Sequence, residues 1–271
     1  TQYVHTHVRV SEGSLSTNST LKFCCDRVAV MRAAAAALML LPLAASATTF
    51  TVGDRGSAFA SLRVTLDAGD SIKSEPGALV SYSGKNLRLG VRSESGWLGR
   101  LFAGEAPYTS SLSAGPDGSG ECMLCPRGIG DIEILDLRSD EAICLSSGCF
   151  LASDSTVKVT SEFHSSFART MFSGTGLRYL VVLGPGRCAF NGHGGLHCCK
   201  LAHGEKLAVD NGHVVGWSPG VQMQMGWAAQ DGGSSSFFRS VASGEGLICR
   251  FEGPGEVWVQ THTLPPTLRS G

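Results

Sequence analysis

Five residues in one short stretch carry the strongest chemical possibility in this sequence: His193, His197, Cys198, Cys199 and His203. Imidazole nitrogen and thiolate sulfur are the ligands zinc prefers, and here they stand close together along the chain. Zinc sites, however, usually draw their ligands from two spaced pairs, and no second pair follows. These five are the residues a metal would use, but the expectation is a protein with no metal and no cofactor. A His-x-His of the kind that metal-binding barrels place on one strand occurs only at His5-Thr6-His7, and His262 has no partner nearby in sequence. Metal-dependent oxygen chemistry therefore has little to work with.

Cys122-Met123-Leu124-Cys125 has redox spacing. A reactive thiolate of that kind draws its stabilisation from a helix start after a strand, and the pair is not so placed. The pair reads as two small apolar residues, or as half of a disulfide framework in an oxidising compartment. Of ten cysteines, Cys24 and Cys25 fall in the leader described below, and the remaining eight suit either compartment. Gly174-Thr175-Gly176 lacks the later glycine and the helix that would make it a phosphate cradle, and no Gly-x-Ser-x-Gly elbow is present. The expectation is that the protein is not an enzyme.

A third set of residues points to binding. Arg100, Arg169 and Arg239 each precede a glycine (Gly104, Gly174, Gly244) by four or five residues, and those glycines are seventy residues apart. Each arginine sits among aromatics, Trp97 and Phe102, Phe167 and Phe172, Phe237 and Phe238, and Phe102, Phe172 and Phe237 join the arginines as the candidate binding residues. Exposed aromatic residues interleaved with Arg suit a membrane surface, an anionic headgroup or a membrane-protein partner. The competing reading is that the rings plug one end of the fold and the guanidinium groups are solvated.

The elements that must position these residues announce themselves by repetition. Leu66, Gly69, Asp70, Ile72, Gly77 recurs as Leu137, Asp140, Glu141, Ile143, Gly148 and as Leu201, Gly204, Glu205, Leu207, Gly212, without an insertion. Leu79, Phe150 and Val214 follow two positions after the last glycine of each copy. An aromatic stretch and an apolar run ending in Gly-Pro alternate with this motif, over Trp97 to Pro116, Phe167 to Pro185 and Phe237 to Pro254. Self-similarity at a fixed period marks a supersecondary unit that buries its apolar face against its neighbours. Ile132 and Ile134, then Leu177, Tyr179, Val181 and Leu183, then Val257 and Val259, alternate at period two, which makes them strands with one set of side chains on the core face. The acids Asp70, Glu141 and Glu205 are read as caps of turns beside strands, and the Gly-Pro pairs as strand ends, since Pro cannot donate to a ladder. The expected fold is all-β, with three repeats in series that suggest a pseudo-threefold β barrel or prism.

Composition agrees. Of 271 residues, 42% are apolar, 17% are charged and 35 are glycine, which suits many short strands joined by tight turns. A net charge of -1 gives no footprint for phosphate backbones, so DNA is not expected and RNA is unfavoured. The expected division is a leader over 1–47, one three-repeat β domain over 48–262 and a tail over 263–271. Within the leader, Met31 and Arg32 precede the apolar stretch Ala33 to Leu43 and the small-residue ending Ala45-Ser46-Ala47, the layout of a secretory signal. That stretch carries no acid from Met31 up to Asp54, which keeps a mitochondrial presequence open as well.

The ordered motifs also resemble a known family. Glu75-Pro76-Gly77-Ala78 after Leu66-x-x-Gly-Asp, the Phe-x-Gly-x-Gly-Leu of Phe172 to Leu177, the Gly-Glu-Gly-Leu of Gly244 to Leu247 and the closing Gly-Pro-Gly-x-Val-Trp-Val-Gln of Gly253 to Gln260 are similar to the family named for altered inheritance of mitochondria. Its bacterial members are an uncharacterised domain of tryptophan-RNA-binding-attenuator-like fold. The resemblance covers about Phe50 to Thr261 and implies a threefold-duplicated double-stranded β-helix type of barrel, self-association as a homo-oligomer and, in eukaryotes, a link to mitochondrial inner-membrane organisation. It supplies no catalytic residues. The first copy departs from the pattern, because Ala106-Pro107 follows Gly104-Glu105 where Gly-Leu stands later. Together these readings make the chain a non-enzymatic scaffold or binding module, self-associating and membrane-adjacent, with a small-ligand or RNA binder of attenuator-like fold as the alternative.

Overall fold

The computed structural model describes residues 48–93, 108–163, 178–227 and 247–263. Strands β1 (Thr49–Gly53), β2 (Ser61–Leu66), β3 (Ser71–Ser74), β4 (Leu79–Ser93) and β5 (Tyr108–Leu124) form the first segment. The second holds β6 (Gly130–Leu137), β7 (Ala142–Ser146), β8 (Phe150–Asp154), β9 (Lys158–Phe163), β10 (Arg178–Leu183) and β11 (Gly186–His193). The third holds β12 (Leu196–Leu201), β13 (Lys206–Asp210), β14 (Val214–Trp217), β15 (Gln222–Trp227), β16 (Leu247–Glu252) and β17 (Gly255–Gln260). A single 3-10 turn, Asn211–His213, is the only helical element among the described residues.

Each motif acid builds its turn as its chemistry requires. The carboxylates of Asp70, Glu141 and Glu205 accept from the backbone N–H of Asp67, Arg138 and Ala202 at 3.3, 2.9 and 2.8 Å. The backbone carbonyls of the same three acids accept from Ala114, Gly184 and Gly253 at 2.8, 3.1 and 2.9 Å, so each turn is pinned to the strand near a Gly-Pro pair. Gly184-Pro185 and Gly253-Pro254 are cis and separate β10 from β11 and β16 from β17. Gly115-Pro116 differs, because β5 runs straight through it. The long β4–β5 ribbon bends instead of breaking, through a register shift between Lys85 and Leu87 and a left-handed Gly84 at φ 139°, whose Cβ would lie 2.2 Å from the Ser119 carbonyl oxygen.

The second and third segments pair by one scheme: β6 with β11 as β12 with β17, β7 with β10 as β13 with β16, β8 with β11 as β14 with β17, and β9 with β10 as β15 with β16. In the first segment β5 alone takes the places of β10 and β11, pairing with β2, β3 and both halves of β4. Between segments, β8 pairs β3 and β14 pairs β7. Among the described residues no ladder joins the third segment to the first, so the strands fall into sheets of eight, six and three rather than three equal ones.

Three apolar cores result. One is enclosed by the eight-stranded sheet around Leu62, Leu66, Ile72 and Leu124. A second lies between that sheet and the six-stranded one, around Phe150, Leu180, Phe190 and Trp258. The third joins the six- and three-stranded sheets around Val181, Trp217 and Phe251. The expectation that only one face of each alternating strand meets a core needs correction at β10 and β17. Tyr179, Val181 and Leu183 enter the third core while Leu180 and Val182 enter the second, and Val257 and Trp258 divide in the same way. The six-stranded sheet lies between two layers, so both faces of its central strands are buried. Leu177 lies outside the described residues.

Candidate functional site

The five metal candidates do not converge. Alternation along β12 sends His197 and Cys199 to one face and Cys198 to the other, with His193 at the end of β11 and His203 in the turn before β13. Among the described residues no group of three or more His, Cys, Asp or Glu side chains is placed to hold a metal. The Cys198 thiol is also pushed up to about 11, first by desolvation and then by the nearby Glu256 carboxylate, which keeps it protonated at neutral pH. The sequence cluster is thus a consequence of proximity along a strand, which period-two geometry undoes.

Cys122 and Cys125 are free thiols. Cys122 is buried within the first core and its thiol is pushed up to about 11 by burial, the direction opposite to that of a redox nucleophile. Cys125 lies just past β5, its N–H donated to the Ala78 carbonyl at 2.9 Å, and burial raises its thiol too.

Sequence reasoning missed a polar network at the start of the body. Arg187 on β11 grips Asp154 on β8 through Nε at 3.0 Å and Nη2 at 3.1 Å, while its backbone N–H reaches the same carboxylate at 2.7 Å. Its Nη1 donates to the Thr48 carbonyl and its guanidinium carbon lies 5.0 Å from the centroid of the Phe50 ring. Thr48 Oγ1 in turn donates to Asp70 Oδ2 at 2.6 Å, tying β1 and the first motif turn to the second segment. Nearby, the 7%-exposed Lys73 donates to the Val157 carbonyl at 2.9 Å. Ser153, opposite Lys73 on the β3–β8 ladder, is buried and its Oγ has no hydrogen-bond partner among the described residues. A nucleophilic hydroxyl needs a base within hydrogen-bond reach and access to substrate. Ser153 meets neither condition. No spacing in the sequence distinguishes Arg187 and Asp154 from other charged strand residues, since their contact depends on which strands become neighbours.

The Arg100, Arg169 and Arg239 set, with Phe102, Phe172 and Phe237, lies outside the described residues. The strands that carry those spans are described, and they share one end of the molecule. Each span joins an antiparallel pair whose last partners are Ser93 with Tyr108, Phe163 with Arg178, and Trp227 with Leu247. Beside the first root, Ser74 pairs with Ser110 of β5 and with Ala152 of β8. The chain from Ala152 back to Ser146 leads to the second root, because Ser146 pairs with Tyr179, next to Arg178. Ser146 Oγ donates to the Val214 carbonyl at 2.6 Å, and the chain from Val214 back to Asp210 leads to the third, because Asp210 pairs with Ile248, next to Leu247.

These features define an all-β protein with barrel-like sheets, in which three hairpin roots gather at one end and the motif acids hold turns. Over residues 54–262 the sequence matches the family described as mitochondrial biogenesis AIM24, and the chain belongs to that family. It is similar to an uncharacterised protein of Streptococcus pyogenes serotype M6, 28% identical over 226 residues, which span 79% of this chain and 86% of that one. Among solved structures it resembles a Streptococcus pyogenes protein determined by structural genomics, with a TM-score of 0.61 and 25% identity over 80% of this chain and 94% of the other.

Proposed function

We propose that the protein is a non-enzymatic, self-associating scaffold in mitochondrial-biogenesis-related work, and that the end where the three hairpin roots meet contacts a membrane surface or a membrane-protein partner. The shared end of the roots carries this reading, because three spans of similar composition start from it. The pairing scheme shared by the segments supports reading them as three copies of one unit. In the spans themselves Glu94, Glu105, Asp231 and Glu245 outnumber Arg100, Arg169 and Arg239. Long-range attraction to an anionic surface is therefore weak, and adhesion rests on burial of Trp97, Phe102, Phe167, Phe172, Phe237 and Phe238, with each Arg pairing at short range with phosphate or carboxylate. No helix among the described residues is long and apolar enough to cross a membrane. Changing Arg169 and Arg239 together to Ala, and in a second variant Phe172 and Phe237 together to Ser, tests the reading by vesicle flotation with anionic vesicles. Both variants should lose most of the adhesion and keep the unfolding midpoint, with the aromatic change the more severe. Retained adhesion with a lowered midpoint assigns these residues to packing and overturns the reading.

A further inference from the structure

The segments bury the same motif positions in two cases and leave them bare in the third. Three residues after the final motif glycine, each segment has a bulged residue skipped in the pairing: Val80 between Leu79 and Ser81, Leu151 between Phe150 and Ala152, and Val215 between Val214 and Gly216. Leu151 is 1% exposed and sits in the core of the first segment, and Val215 is 0% exposed and sits in the core of the second. Each closes the core of the preceding segment. Val80 is 57% exposed and, among the described residues, joins no core. Two residues further on, Ser153 and Trp217 are buried while Tyr82 is 49% exposed.

The cause is a missing ladder. β8 lies on β3 through Lys73 opposite Ser153, and β14 lies on β7 through Cys144 opposite Trp217. The corresponding strands of the remaining junction are β4 and β13. Among the described residues β4 pairs only with β5 and β13 only with β16, so both present a free edge. The same register would set Tyr82 opposite Ala208, Ser83 opposite Leu207, Ser81 opposite Val209 and, two residues on, Lys85 opposite Glu205. Ala208 is exposed where its counterparts Lys73 and Cys144 are buried. Leu207 and Val209 lie only partly buried against the third core, which is the core that Val80 would close by the rule of the other two.

We propose that the β4 and β13 edges are the interface between two copies of this chain: β4 of each copy pairs antiparallel with β13 of the other, in the register of the two internal junctions. Because each copy offers both edges, two such ladders form a closed two-fold dimer in which neither edge remains free. The match is chemical as well as geometric, since Val80 meets the apolar margin of the third core, Tyr82 covers the exposed Ala208 on the other face and Lys85 meets Glu205. It also accounts for a long edge strand bearing exposed Val80 and Tyr82, which unpaired is a site of uncontrolled aggregation. This inference deepens the self-association in the proposed function and rests on it, whereas the adhesive end can fail without affecting it.

The test combines oxidative cross-linking and mass measurement on the full chain. In a Cys198→Ser, Cys199→Ser background, Tyr82→Cys together with Ala208→Cys should give a disulfide-linked species of twice the chain mass. Light scattering should report a dimer for the unmodified chain. Val80→Asp should raise its dissociation constant about tenfold or more, as expected for a residue central to a contact, without moving the unfolding midpoint of the monomer. Lys85→Glu should weaken it about threefold, within the usual range for an exposed pair, whereas Lys85→Arg should leave it unchanged. A disulfide formed within one chain shows that the junction closes on itself and overturns the proposal, as does a monomer that forms no cross-link. A dimer indifferent to Val80→Asp overturns the β4 assignment.

Discussion

Two glycines at one motif position should respond in opposite ways to the same substitution. Gly148 sits at φ 81°, in the left-handed region, and a Cβ built there meets nothing within 4 Å. Gly148→Ala therefore carries no steric overlap, and its cost is conformational, on the order of 1–2 kcal/mol for an L side chain in that region. Gly212, the counterpart in the third segment, lies in the 3-10 turn Asn211–His213, with its N–H held by Asp210 Oδ1 at 2.8 Å, and its φ is not positive. There Ala is compatible with the backbone and narrows the unfolded ensemble, so Gly212→Ala should be neutral or stabilising by about 0.5 kcal/mol. In a domain of this size 1 kcal/mol moves the melting midpoint by roughly 2–4 °C, so the two variants should differ by about that much or more in calorimetry. Gly148→Val should fall lower than Gly148→Ala, because a β-branched residue is worse still at positive φ. Equal losses at the two positions, or no loss at Gly148, would refute the argument that backbone conformation rather than motif identity sets the cost.

Trp217 packs in the third core and Trp258 in the second, and the cores share strands β7, β10, β14 and β17. Tryptophan fluorescence and circular dichroism should therefore report one coincident unfolding transition, and two separated transitions would contradict cooperation between the cores. Burial pushes the thiols of Cys122 and Cys249 up to about 11 and about 12 from an ordinary value of 9, with the Asp210 carboxylate adding to the effect at Cys249. The folded chain thus holds those protons more tightly than the unfolded chain, so stability is full below about pH 9 and declines as pH rises towards 11–12. The urea midpoint should fall between pH 8.5 and 10.5 by an amount that shrinks in a Cys122→Ala, Cys249→Ala variant, on the order of the ordinary thiol range; a slope unchanged by that variant would rule out the thiols as the source.

Local chemistry made much of the fold legible in the sequence. In all three copies the motif carboxylate reaches back to the backbone N–H three residues earlier, a contact that local turn geometry alone provides, which is why Asp70, Glu141 and Glu205 behave as the motif predicts. Period-two alternation identified the strands, and the ordered motifs identified the family. Other features depend on which strands lie side by side, and that is decided by tertiary structure. His197 and Cys198 are adjacent in sequence but face apart on β12, while Arg187 and Asp154 are 33 residues apart and make paired hydrogen bonds because β8 and β11 are neighbours. Val80, Leu151 and Val215 occupy one position of one motif, and the sequence by itself makes them alike. Only the ladders on β8 and β14, and their absence on β4, separate two core residues from an exposed one, because burial is a property of what covers a side chain and not of the side chain itself.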